Sequence, residues 1–125
     1  MTTTDAEMKT YEGGCHCQAV RFEISMKLAG AITCNCSLCS KTGTMLAFAP
    51  AAQFKLLAGE DALTDYTWGK HKLHHLFCKR CGVRSFARGN MPDGTAMVAI
   101  NVRCLDDIDL EAVPTKQYNG KAIAI

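Results

Sequence analysis

The clearest hydrophobic pattern in the chain has a period of two. Val20, Phe22 and Ile24 alternate with Arg21 and Glu23, which sets every second side chain on one face and predicts a half-buried strand. Thr64, Tyr66 and Trp68 form another alternating face, and Met45 to Ala49 is a short apolar run stopped by Pro50. Met97 to Asn101 reads as a buried strand entered from the turn sequence Met91-Pro92-Asp93-Gly94. No segment carries the period of a long amphipathic helix. A helix over Ala51 to Leu57 is the competing reading there, and it has room for only two turns.

At 125 residues the chain has enough material for one core. A single domain is expected over 11–125, after a flexible, polar N-terminal tail over 1–10 that lacks the features of a secretory signal. Apolar residues at 48% and charged residues at 21% fall in the ordinary globular range. No stretch approaches the roughly 20 apolar residues of a membrane span, so no membrane partner and a soluble, cytoplasmic location are expected. Asn35-Cys36-Ser37 matches the glycosylation pattern by accident in such a compartment. A formal charge of +2 is short of the basic profile of a nucleic-acid-binding domain, and no pattern fixes an oligomeric state.

The chemistry lies in the cysteines. Seven of the eight fall into Cys15-His16-Cys17, Cys34-Asn35-Cys36-Ser37-Leu38-Cys39 and Cys78-Lys79-Arg80-Cys81. In a reducing compartment such clusters suit metal chelation better than disulfides. Pairing Cys15 and Cys17 with Cys78 and Cys81 gives a four-thiolate zinc site drawn from both ends of the domain. Cys34, Cys36 and Cys39 then remain as a trio able to hold a second zinc with its fourth position open, the mark of a catalytic site. Other readings stand beside this one: iron in place of zinc, a thioredoxin-like redox pair, and a zinc ribbon from Cys36, Cys39, Cys78 and Cys81. In a further one, Cys104 closes the second site and makes both zincs structural. Gly13, Gly14, Gly43 and Gly82 flank the clusters, where the chain must turn tightly or approach closely. The expected fold is therefore mainly β: a small antiparallel domain built around zinc knuckles, with few or no long helices.

At these residues the sequence resembles the glutathione-dependent formaldehyde-activating enzyme family, small zinc-binding carbon–sulfur lyases that include centromere protein V-like domains. The resemblance runs from about Tyr11 to Asp107. It rests on Gly13 to Glu23, on Cys34 to Cys39 with Lys41 and Gly43, on Phe77 to Gly82, and on Asn101 to Asp106. Gln18 stands where glycine is common, and Ser40 where arginine is frequent. The resemblance implies a mainly β fold, a structural zinc on Cys15, Cys17, Cys78 and Cys81, and a catalytic zinc on Cys34, Cys36 and Cys39. It also implies a glutathione-like thiol and formaldehyde or a related carbonyl as substrates.

Histidines are the side chains suited to moving a proton near neutral pH. His71, His74 and His75 precede the third cluster with nothing to choose among them, and His16 reads as a support for neighbouring ligands. Carboxylates on the substrate would want guanidinium partners. Arg21, Arg84, Arg88 and Arg103 are available, with Arg103 favoured because it lies in a family-like segment. The competing function is a non-enzymatic zinc module for protein or nucleic acid, using the basic cluster Lys70, His71, Lys72, Lys79, Arg80 and Arg84.

Overall fold

The computed structural model describes residues 8–68 and 70–119. The alternation at Val20–Ile24 becomes strand β2 (Arg21–Lys27), whose Phe22, Ile24 and Met26 are buried while the residues between them are not. It pairs antiparallel with β1 (Met8–Gly14) and β5 (Phe54–Ala58) in a three-stranded sheet. Residues 1–7 of the expected tail lie outside the described residues. Met8, Lys9 and Thr10, expected to belong to that tail, instead open β1 opposite Lys27, Met26 and Ser25. The two-turn helix over Ala51–Leu57 does not form: a 3-10 turn at Ala51–Gln53 leads directly into β5.

The remaining strands are β3 (Ala31–Cys34), β4 (Leu46–Pro50), β6 (Leu63–Tyr66), β7 (His74–Cys78), β8 (Arg84–Asn90), β9 (Ala96–Asn101) and β10 (Thr115–Tyr118). They form one seven-stranded sheet in the order β10-β3-β4-β9-β8-β7-β6. Every pair is antiparallel except β10 with β3. That pair is parallel because the chain returns from β9 by a long crossover through 3-10 turns at Val102–Cys104 and Leu110–Ala112. The expected turn before β9 is present, with the Gly94 N–H donating to the Met91 carbonyl. Only one α-helix occurs among the described residues, the single turn α1 (Cys39–Thr42). The Thr64, Tyr66 and Trp68 face is not the buried one. On the edge strand β6 it is Leu63 that packs on the core, and Trp68 has left the strand.

Alternation along the large sheet sorts its apolar residues into two layers. Ala47, Ala49, Phe86, Val98 and Ile100 meet Phe22, Ile24 and Met26 of the small sheet in the main core. Phe86 and Phe54 approach to 4.6 Å between ring centroids, with Phe22 beside both. On the opposite face Leu46, Ala87 and Ala99 gather against Cys36 and Cys39. Cys15 and Cys78 belong to the first layer. The two groups of cysteines therefore lie on opposite sides of the seven-stranded sheet.

Candidate metal centres and the cavity beside them

Cys15 and Cys17 sit in the β1–β2 loop; Cys78 closes β7, and Cys81 lies in the β7–β8 loop. The two loops are built alike. The Cys15 N–H donates to the Val20 carbonyl at 3.1 Å, and the Cys78 N–H to the Val83 carbonyl at 3.0 Å. Backbone N–H groups of Val20 and Arg80 also point at the Cys15 and Cys78 sulfurs. Gly82 takes φ +79 in one loop; Gln18 takes φ +69 in the other, a left-handed conformation that glycine adopts more readily. A Cβ at Gly13 would collide with the Cys104 carbonyl, so glycine there lets the crossover press against the base of the first loop.

The four sulfurs lie within 4.8 Å of one another. Cys15 Sγ to Cys17 Sγ and Cys17 Sγ to Cys78 Sγ are both 3.6 Å. Four sulfurs around a zinc at about 2.3 Å would be about 3.8 Å apart, so these residues fit a tetrahedral ion. The N–H groups of Cys17 and Val83 pull the Cys81 thiol down to about 6. Sulfurs this close cannot all ionise without a cation between them.

Cys34 closes β3, Cys36 lies in the following loop, and Cys39 opens α1, whose one turn ends in a left-handed Gly43. Their three sulfurs also lie within 4.8 Å of one another. The Cys36 N–H donates to Cys34 Sγ and the Cys39 N–H to Cys36 Sγ. Burial opposes ionisation of Cys36, but the N–H and thiol of Cys39 outweigh it and its thiol titrates below the usual range. Burial, reinforced by the adjacent Cys36 sulfur, pushes Cys39 up to about 11. Cys104 does not close this group. It sits against the main core, donates weakly to the Arg84 carbonyl, and is held up to about 11 by burial. Nor do Cys36 and Cys39 join Cys78 and Cys81 in a ribbon-like site.

The trio opens onto a cavity of about 490 Å³ on the outer face of the large sheet. Strand register explains it. Phe48, Ala99, Ala87 and His75 form one cross-strand row, in which the two alanines make a low floor between taller walls. Trp68, Met97 and Tyr118 complete much of the rim, and Tyr118 stands opposite Cys34 in the parallel pair.

Of the three histidines before the third cluster, only His75 reaches this cavity. His71 and His74 are exposed, bonded to Thr67 and Asp65. Among the arginines, the favoured Arg103 is exposed on a 3-10 turn and does not line the cavity, while Arg21 pairs with Asp106. Arg84 and Arg88 do line the cavity. A bulge between β7 and β8 pairs Leu76 with Phe86 but Phe77 with Arg84, leaving Ser85 as an extra residue. That extra residue breaks the alternation and turns Arg84 onto the outer face with His75 and Ala87. Asn101 Nδ2 and the Cys104 thiol both donate to the Arg84 carbonyl, which holds the bulge in place.

Arg84 is 8% exposed and pairs with no carboxylate among the described residues. One of its terminal nitrogens donates to His75 Nδ1 at 2.8 Å, another reaches Thr42 Oγ1 at 3.4 Å, and its Nε has no partner. Because guanidinium cannot accept, His75 Nδ1 must be the unprotonated nitrogen and its proton sits on Nε2. Burial, with the Arg84 charge adding to it, pulls His75 down to about 4, so the ring is neutral near pH 7. The burial of Arg84 also removes it from the expected basic surface cluster, of which Lys70, His71, Lys72, Lys79 and Arg80 remain exposed.

Reduced, metal-replete protein should carry two zinc ions per chain; elemental analysis finding one, or mostly iron, would remove a site or change the element. No helix among the described residues is long and apolar enough to cross a membrane. A family model described as glutathione-dependent formaldehyde-activating enzyme matches residues 10–121. A crystal structure of a Rhodobacter sphaeroides protein from structural genomics is 28% identical, with a TM-score of 0.73 over 84% of this chain and 99% of that one.

Proposed function

The chain belongs to the glutathione-dependent formaldehyde-activating enzyme family, and on that premise we propose that it is a carbon–sulfur lyase of the cytoplasm. It would join and separate a small thiol and formaldehyde or a related carbonyl, with Cys34, Cys36 and Cys39 as catalytic metal ligands. Cys15, Cys17, Cys78 and Cys81 would hold a purely structural ion. The observation that carries the reading is three sulfurs converging beside a cavity, with no fourth sulfur among the described residues to complete them. Zinc held by three thiolates would supply an open position at which a thiol is bound as thiolate near neutral pH.

The remaining work falls to the cavity residues. As the C–S bond forms, the carbonyl π pair moves onto oxygen and negative charge gathers there. His75 Nε2–H donates a hydrogen bond to that oxygen, and Arg84 fixes the ring so that this nitrogen carries the proton. A neutral imidazole serves as a preorganised donor, and the proton that finally reaches oxygen is the one the thiol gave up. The fixed charge of Arg84 favours the same oxyanion across a low-dielectric wall. In the reverse direction these contacts are released as the C–S bond breaks.

The test is an exchange measurement on equilibrated mixtures of glutathione, formaldehyde and their adduct, because the spontaneous reaction is itself fast. Native protein should accelerate exchange above that background. His75→Phe should lose about 100-fold of the catalysed part, the scale of one oxyanion donor, while keeping both metals. Equal exchange with and without native protein, across several thiols and aldehydes, would sink the lyase reading and favour a binding module.

A further inference from the structure

Charge is almost absent from the walls of the cavity beside the cysteine trio. Among the described residues no aspartate, glutamate or lysine lines it. Arg88 borders it, but its guanidinium lies 5.4 and 5.3 Å from the ring centroids of Phe54 and Phe86, on the core side of the sheet. That leaves the buried Arg84 as the charged head group beside the cysteines.

Apolar surface is concentrated there instead. Seven large apolar side chains are exposed among the described residues, and four of them, Phe48, Leu73, Met91 and Tyr118, stand on this one cavity. Scattered exposed apolar residues need no explanation, whereas a contiguous set around a concave site marks what the site binds. The surface is a cavity with a two-alanine floor and reactive thiols at one side, a shape suited to part of a small molecule.

We propose that the substrate adduct carries an apolar group, a hydrocarbon chain or aromatic ring close to the C–S bond, and that this group fills the outer cavity. The inference rests on the lyase reading and specifies its substrate class. Glutathione carries an ammonium and two carboxylates. Arg84 can satisfy one carboxylate, but the ammonium finds no carboxylate among the described residues of the wall, and burying it unpaired carries a heavy desolvation cost. The ends of a tripeptide thiol therefore stay in water, and the enclosed volume is recognised by apolar contact. The chemistry balances without an oxidant: thiol S–H adds across C=O, the C–S bond forms, and the thiol proton ends on oxygen.

Trp68, the single tryptophan of the chain, lines the cavity and reports its occupancy. Fluorescence titration with unreactive S-methyl-, S-butyl- and S-hexylglutathione should show affinity rising about three- to fourfold per methylene until the cavity is full. Met97→Glu, which sets a charge on the wall, should flatten that rise while both metals are retained. Exchange measurements then locate the group: straight-chain aldehydes against glutathione place it on the carbonyl, and alkanethiols against formaldehyde place it on the thiol. A flat binding series, or a steep one unchanged in Met97→Glu, would overturn the proposal. So would a dimer dissolved by Met91→Glu with no length dependence, which would assign the wall to a second copy. Accelerated glutathione–formaldehyde exchange alongside a flat series would leave the lyase reading standing and remove only the apolar substrate. A steep series with no exchange for any pair would do the opposite.

Discussion

Replacing Cys36 by serine is expected to abolish catalysed thiol–carbonyl exchange and to lower the metal content from two ions to one, with most of the fold retained. Cys36 is the middle member of the trio and is 6% exposed, packed against Leu46, Ala87 and Ala99. Serine nearly matches its volume, so little cavity opens. Its hydroxyl is a poor ligand at neutral pH, and the two thiolates left on Cys34 and Cys39 should release zinc readily. The main core and the four-cysteine cluster lie across the sheet and share no residue with this site. A thermal midpoint within a few degrees of native, one remaining zinc, and exchange at the background rate are the expected results. Full exchange activity in the variant would move the chemistry elsewhere.

Replacing Cys78 or Cys81 should have the larger effect on stability. Cys15 and Cys17 hang between strands of the small sheet, while Cys78 ends a strand of the large one and Cys81 follows in its loop. An ion shared by these four would tie the two sheets together at one end of their common core. Structural zinc contributes about 10–16 kcal/mol in small domains, against a net stability of about 5–15 kcal/mol for most proteins. Losing it should remove cooperative unfolding and most soluble protein. Because an insoluble variant says little by itself, the native chain should also be titrated with a strong chelator under reducing conditions, followed by near-UV circular dichroism. Loss of tertiary signal in step with release of the second zinc is expected. A Cys81→Ser variant melting like the native chain would count against a structural ion there.

Both predictions start from groupings legible in the linear chain. A Cys-x-x-Cys turn gathers its sulfurs by local geometry, so the clusters could be read before any fold was known. Period-two alternation likewise marked β2, and the Met91–Gly94 turn marked the entry to β9, because each depends on neighbours a few residues away. The reading of Met8 to Thr10 as tail failed for the converse reason: polar residues join a strand when a partner such as β2 is available to pair with them.

The cysteine clusters able to hold metal and the mainly β character of this protein were thus legible in the linear chain, since both are written in short-range spacing. Which side chains stand beside the trio's sulfurs depends instead on pairing across the fold. Nothing local distinguishes Arg84 from Arg103, or His75 from His71 and His74. Arg84 enters the cavity because Ser85 bulges against β7, and His75 does so because its register sets it opposite Ala87. The alanine floor exists because β8 and β9 align Ala87 with Ala99. Register and bulges are set by pairing between segments far apart in the chain, and a shift of one residue would send every one of these side chains to the other face of the sheet.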